Sequence, residues 1–180
     1  MMHSSATALN SRVLNIMQWV RGELENSVVT LTDFNLRQLV DDDIRALETA
    51  IDVKSLKVVN AIDPDLTVHD DANVVSLVLR NLISNAVKFS YPNGEVRIKA
   101  SQDVDCVWVS VEDDGMGISE KKLEKIFNFL TSSSSGSGGE TGTGIGLFVS
   151  KQLLDKTGGE IRIESKKDSG TTVRFTVKKK

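Results

Sequence analysis

One long helical pattern does most to decide what this chain can fold into. Asp70 or Asp71 can cap it, Tyr91-Pro92-Asn93-Gly94 ends it in a turn, and Val74, Leu77, Val78, Leu82 and Val87 predict its buried face. The segments on either side supply strands. A hairpin follows, with arms over Glu95 to Ser101 and Cys106 to Glu112 and a turn at Gln102 to Asp105. Upstream, Val28 to Leu31 reads as a strand, and Asp33 caps a helical pattern in Leu36, Leu39, Val40, Ile44, Leu47 and Ile51. A strand around Lys57 to Ile62 stops at Asp63-Pro64, and Thr67 to His69 is a brief extended piece. Downstream, a helix from about Thr143 to Asp155 ends at Gly158-Gly159, and strands near Glu160 to Ser165 and Thr171 to Val177 close the chain. Strands in consecutive runs with helices between them predict an α+β fold, with helices stacked on one face of a mixed sheet. Ahead of it, Leu9, Val13, Ile16, Met17 and Val20 form one stripe of a helical stub over 8–25.

Composition narrows the function classes. At 180 residues and 39% hydrophobic, the chain suits one domain with a short appendage. A net charge of -3 gives no electrostatic reason to expect nucleic acid or an anionic membrane as partner. Cys106 is the only cysteine, so neither an intrachain disulfide nor a clustered-thiol zinc site can form, which suits a reducing compartment. It reads as a small buried hydrophobe in a strand. No apolar run approaches the length of a bilayer span, and the start lacks the apolar core of a signal peptide, so a soluble, cytoplasmic domain is expected. Between Phe129 and Gly142 lies a Ser/Gly-rich stretch with nothing to place in a core, predicted to be mobile without a ligand.

Three segments carry chemistry. In Asn81-Leu82-Ile83-Ser84-Asn85-Ala86-Val87-Lys88-Phe89-Ser90, on the long helix, Asn81, Asn85 and Lys88 share a face. An amide oxygen is a hard neutral ligand for Mg²⁺ that adds no repulsion to phosphates, and a lysine gives their oxygens a point charge. Taken alone, the segment could equally be a helix exposing polar residues to water. In Asp113-Asp114-Gly115-Met116-Gly117-Ile118, at a strand end, a carboxylate can accept from an exocyclic amino group, and the glycines allow a flat ring close to the backbone. It could equally be a turn, or the two aspartates a metal pair, although the flanking glycines favour a base pocket. In Gly142-Thr143-Gly144-Ile145-Gly146-Leu147, alternate glycines open a helix whose N–H groups and positive end suit phosphate oxygens. Its spacing and place match neither a Rossmann fingerprint nor a Walker loop.

In this order the three segments resemble the N box, G1 box and G2 box of the gyrase, chaperone, histidine kinase and mismatch-repair ATPase superfamily, the Bergerat ATP-binding fold. The histidine kinase branch fits best, since its N box pattern is met in full from Asn81 to Ser90. Gyrase-like members carry a water-activating glutamate at the position of Asn81, and an asparagine there disfavours hydrolysis. Ile126-Phe127-Asn128-Phe129 resembles the F box, and Gly158-Gly159 with Gly170-Thr171 resembles the closing glycines of the domain. The likeness spans roughly residues 28–177. It implies a two-layer α/β sandwich of about five strands on three helices, binding ATP and Mg²⁺. Asn85 would ligate Mg²⁺, with Asn81 near the same ion and Lys88 on the phosphates. Phe89 would lie near the adenine, Asp113 would read its amino group, Gly115 and Gly117 would line the base pocket, and Ile118, Phe129 and Thr172 would also bind ATP. Gly142, Gly144 and Gly146 would cradle the phosphates at the hinge of an ATP lid over about 130–142, and Thr143, Ile145 and Leu147 between and beside them would also bind ATP.

The resemblance also implies an organisation: residues 1–26 as a remnant of the second dimerisation helix, and 27–180 as the catalytic domain of a kinase whose membrane anchoring is left open. The implied partners are a histidine-bearing dimerisation domain, a response regulator, and a second copy through the N-terminal helix. Neither His3 nor His69 reads as the phosphoacceptor. One departure stands out, because many members place a basic residue in the F box or lid and none occurs from Asn128 to Thr141.

Overall fold

The computed structural model of the chain describes residues 28–128, 136–137 and 144–180. The helical stub expected over 8–25, His3, Phe129, Gly142 and Thr143 lie outside the described residues. In chain order the elements are β1 (Thr32–Asn35), α1 (Leu36–Arg45), α2 (Glu48–Val53), β2 (Lys57–Asn60), β3 (Thr67–Asp70), α3 (Ala72–Phe89), β4 (Glu95–Gln102), β5 (Cys106–Asp113), α4 (Glu120–Leu123), α5 (Gly146–Thr157), β6 (Ile161–Ser165) and β7 (Thr171–Lys178).

Period-two burial builds the sheet. Val96 and Ile98 on β4, Val107, Val109 and Val111 on β5, and Val173, Phe175 and Val177 on β7 are all buried, while the residues between them face outward. Registers Ile98↔Val111 and Val111↔Val173 line these residues up across the sheet. The strand order is β2-β4-β5-β7-β6, parallel only at β2–β4. This is the expected α+β two-layer sandwich, a mixed and mostly antiparallel sheet whose apolar face is covered by α1, α3 and α5.

α3 begins at Asp71, whose Oδ1 accepts from Asn73 N at 3.0 Å and Val74 N at 3.2 Å. Its buried face is Val75, Val78, Leu79, Leu82, Ile83, Ala86 and Val87. The expected Leu77 is 51% exposed, on the opposite side of the helix. Val78, Leu82 and Val87 are buried as expected and Val74 packs against the core; apolar residues crowd both sides of α3's first three turns, so periodicity found the helix and most of its buried face but misassigned Leu77. Burying each large aliphatic here stabilises the fold by about 1.5–3 kcal/mol.

The N-terminal third differs most from expectation. Val28 to Leu31 is not a strand; β1 lies at Thr32–Asn35, where β3 offers an antiparallel partner. Asp33 therefore caps nothing. It holds His69 Nδ1 at 2.6 Å and Lys180 Nζ at 2.7 Å, while Asn35 caps α1 through Gln38 N. The helical pattern expected through Ile51 breaks at Ala46–Leu47 into α1 and α2. Asp43 joins α1 to α3: its Oδ1 accepts from Ser76 Oγ at 3.0 Å and Arg80 Nη2 at 3.1 Å. Burial pushes its carboxyl pKa up, and Oδ2 is buried without a partner among the described residues. The β1–β3 ribbon is fastened to the main sheet by Asp70 Oδ2, which accepts from Lys178 N at 2.9 Å.

Candidate functional site at the end of the long helix

An α-helix leaves its last four carbonyls without helical partners, so where those of α3 go identifies what meets it. Ala86 O accepts from Ser90 N at 2.9 Å and from Ser90 Oγ at 2.7 Å. Val87 O and Lys88 O accept from Lys54 Nζ at 3.0 and 2.6 Å, and Lys88 O also accepts from Ser137 N at 3.2 Å. Phe89 O accepts from Met116 N at 3.1 Å. Three distant parts of the chain thus close this helix end, among them the Asp113–Ile118 loop and the one described piece of the Ser/Gly-rich stretch.

The Asp113–Ile118 loop is set by contacts on both sides. Asp113 ends β5 on the inward face, opposite Val96 of β4 and Thr171 of β7. Its Oδ1 accepts from Gly115 N at 2.9 Å. Burial pushes its pKa up to about 6, against the opposing pull of backbone N–H groups from Gly115 and Thr171. The loop glycines have a reason the sequence did not show. A Cβ on Gly115 would overlap Phe89 O and lie 2.7 Å from its carbonyl carbon, and one on Gly117, at φ +61°, would overlap Lys166 O. Gly170 N donates to Gly115 O at 3.0 Å, Asp168 N to Met116 O at 2.8 Å, and Ile118 N to Ser165 Oγ at 2.9 Å, so the β6–β7 turn holds the loop from behind.

The third motif meets the first. Gly146 opens α5 so close to α3 that an added Cβ would overlap Asn81 Oδ1 and lie 2.8 Å from Asn81 Cγ. Asn81 Nδ2 donates to Ser150 Oγ at 2.8 Å, one turn into α5, and Asn85 Nδ2 reaches Asn81 Oδ1 at 3.4 Å. The Asn81 amide is thereby engaged with protein, whereas Asn85 Oδ1 takes no hydrogen bond among the described residues. Among the described residues no side chain caps α5, and its first turn holds no acidic residue. Lys88 Nζ lies over the Phe89 ring, 4.7 Å from its centroid. Asn85 is one turn, about 6 Å of axial rise, from Phe89, which in turn touches the Asp113 loop.

The motif residues that the structure describes, Asn81, Asn85, Lys88, Phe89, Asp113, Gly115, Gly117, Ile118, Gly144, Ile145, Gly146 and Leu147, are thus gathered along α3 or on the two segments packed against it. Leu147 is also packed against the core. Thr172 stands apart: strand alternation puts it on the outer face, opposite Glu112, and Thr171 is the threonine across from Asp113. Sequence reasoning also missed Lys54, Ser150 and Ser165. The four-residue spacing of Gly146 and Ser150, two small residues on one helix face, was a readable sign of close helix packing; nothing marked Lys54. Among the described residues there is no cluster of three His, Cys, Asp or Glu fit to hold a metal, and no helix is long and apolar enough to cross a membrane. An open hollow lined by Asp63, Asp65, Leu66, Thr67, Gln102, Lys179 and Lys180 lies at the other end of the sheet and holds no motif residue.

Sheet order and motif placement define a two-layer ATPase-type sandwich with its candidate site along the central helix. Residues 70–180 match the family model described as histidine kinase-, DNA gyrase B- and HSP90-like ATPase, and the chain belongs to that family. Relatives include the sensor histidine kinase AruS of Pseudomonas aeruginosa, 34% identical over 92% of this chain and 17% of its own length. WalK of Bacillus subtilis, also a sensor histidine kinase, is 36% identical over 66% of this chain and 20% of its own. The chain therefore spans a fifth or less of these relatives. Among solved structures, the catalytic domain of the histidine kinase ThkA superposes with a TM-score of 0.73 at 28% identity, covering 83% of this chain and 96% of that one. The relatives and this structural neighbour place the chain on the histidine kinase side of the family.

Proposed function

We propose that this chain binds ATP with Mg²⁺ and serves as the catalytic domain of a two-component sensor histidine kinase. In this reading the γ-phosphoryl group passes to an imidazole nitrogen of a histidine on a separate dimerisation domain, and ADP leaves. Residues 27–180 form the catalytic domain, with a lid over about 130–142, and 1–26 are the remnant of the dimerisation helix. The single observation that carries the reading is the meeting of the three motifs along α3, where Asn81 touches Gly146 and Phe89 O takes the Met116 N–H.

Each side chain then has a task. Asn85 Oδ1, which takes no hydrogen bond among the described residues, would hold Mg²⁺, which when bound neutralises phosphate charge. The start of α5 at Gly144–Gly146 offers backbone N–H groups and the positive end of the helix dipole to phosphate oxygens, and Lys88 adds a point charge. Ionised Asp113 accepts from the adenine amino group, while Phe89 and Ile118 sit beside the base. Asn81, whose amide binds Ser150, provides no carboxylate to activate water, which favours transfer to a protein acceptor over hydrolysis.

Calorimetric titration with ATP-Mg²⁺ tests the pocket: the unaltered protein binds and Asn85→Ala loses most Mg²⁺-dependent affinity. Adding a matching dimerisation domain and labelled ATP tests transfer, with label expected on its histidine. Binding without labelling would favour a second reading, a nucleotide-responsive module that transfers no phosphate, which the lack of Lys or Arg from Asn128 to Thr141 supports. In a full-length kinase the further partners would be a response regulator and a second copy, in the cytoplasm.

A further inference from the structure

Lys54 lies outside all three motifs, just past α2, yet it is 7% exposed. Its ammonium sits 3.0 Å from Val87 O, 2.6 Å from Lys88 O, 3.3 Å from Ser90 O and 2.8 Å from Ser137 Oγ. A buried ammonium is costly unless oxygens replace its water, so this cage of acceptors is what lets a lysine sit here. Three acceptors belong to the end of α3. The fourth belongs to Ser137, whose own N–H goes to Lys88 O and whose hydroxyl also donates to Ser90 O. Gly136 beside it is buried.

The chain is thereby attached to α3 at two places, by Ser137 beside Lys88 and by Gly146 beside Asn81, with Asn85 between them on the same helix. We propose that Lys54 is a positioning residue for the triphosphate. Through the Val87 and Lys88 carbonyls it fixes the turn from which the Lys88 side chain extends, and through Ser137 Oγ it fixes the segment that meets that turn. The inference rests on the nucleotide reading above and assigns no contact between Lys54 and the ligand.

Lys54→Met and Ser137→Ala, made singly and together in the full chain, test it by NMR titration with ATP-Mg²⁺ and with adenosine, which lacks the phosphates. Each single change is expected to weaken ATP-Mg²⁺ by about fivefold, the worth of one hydrogen bond, while adenosine binding stays within about twofold. The double variant is expected to bind ATP-Mg²⁺ no more weakly than Lys54→Met. Ser137→Ala keeps every contact between Lys54 and the helix, so it reads the effect even if Lys54→Met does not fold. Equal weakening of both ligands, or unchanged ATP-Mg²⁺ affinity in Ser137→Ala, would overturn the positioning role while leaving the nucleotide site intact. An unaltered protein that binds neither ligand would overturn the nucleotide reading and this inference with it.

Discussion

Replacing Gly146 by alanine should change sign in its effect on stability according to what stands at position 81. The three atoms nearest the added Cβ all belong to the Asn81 amide: it overlaps Oδ1 and stands 2.8 Å from Cγ, roughly half an ångström or more inside ordinary contact. The obstacle is the end of a side chain, so Asn81 can swing away. In doing so it gives up the 2.8 Å bond to Ser150 Oγ, and Ser150 is 2% exposed. Leaving a buried hydroxyl without its partner costs about 1–3 kcal/mol, against which alanine returns up to about 1 kcal/mol of helix propensity. Gly146→Ala should therefore destabilise by about 1–2 kcal/mol in the unaltered protein. In an Asn81→Ala background the obstacle and the bond are already gone, so the same change should stabilise by up to about 1 kcal/mol. Urea denaturation followed by circular dichroism on the four proteins measures the coupling. Equal costs in both backgrounds would refute the packing of α5 on α3 through Asn81.

Other expectations follow from the same geometry. Gly117→Ala adds left-handed strain at φ +61° to an overlap with the Lys166 carbonyl and should cost about 3 kcal/mol or more, whereas Gly158→Ala, at φ +76° with open space around it, should cost only about 1–2 kcal/mol; comparable losses in denaturation would contradict the crowding. Asp113, raised to about 6 from 3.8, lends the nucleotide-free fold a stability that is full below about pH 4 and lost as pH rises through about 6, and Asp113→Asn should flatten that slope in pH-dependent melts. In the proposed reading Asp113 recognises adenine in its ionised form, so ATP-Mg²⁺ affinity should instead fall as pH drops through about 6; affinity flat from pH 7 to 5 would remove Asp113 from the base pocket. Arg80→Ala leaves the buried Asp43 with Ser76 alone and should cost about 1–3 kcal/mol, much of it recovered in Asp43→Asn/Arg80→Ala, as a double-mutant cycle would measure.

The sequence spoke most clearly where one force acted alone. The β4–β5 hairpin alternates valines with polar residues and came out within one residue at each end, since strand period and turn chemistry agree there. The cap, the end and most of the buried face of α3 were legible for the same reason, but Leu77 was not. The helix's first three turns carry apolar residues on both sides, and only the sheet beneath decides that Leu79 is buried and Leu77 is not. β1 was misplaced because a strand's position depends on its partner, and β3 lies 32 or more residues further on. At the site, the motif residues were readable as chemistry but not as packing. Nothing local says that Gly115 is small because Phe89 O passes beside it, or that Lys54 closes a helix whose end it meets from 33 residues away.

The attachment of the entering chain has a mechanical consequence. Thr30 N donates to Asp71 Oδ2 at 2.9 Å, on the same carboxylate whose other oxygen starts α3. A pull or twist arriving through residue 30 would load the head of α3 directly, without first crossing the sheet. Asn81 and Asn85 ride on that rod two to four turns along, so force applied at the doorway of the domain is delivered in line with the two asparagines of the proposed site.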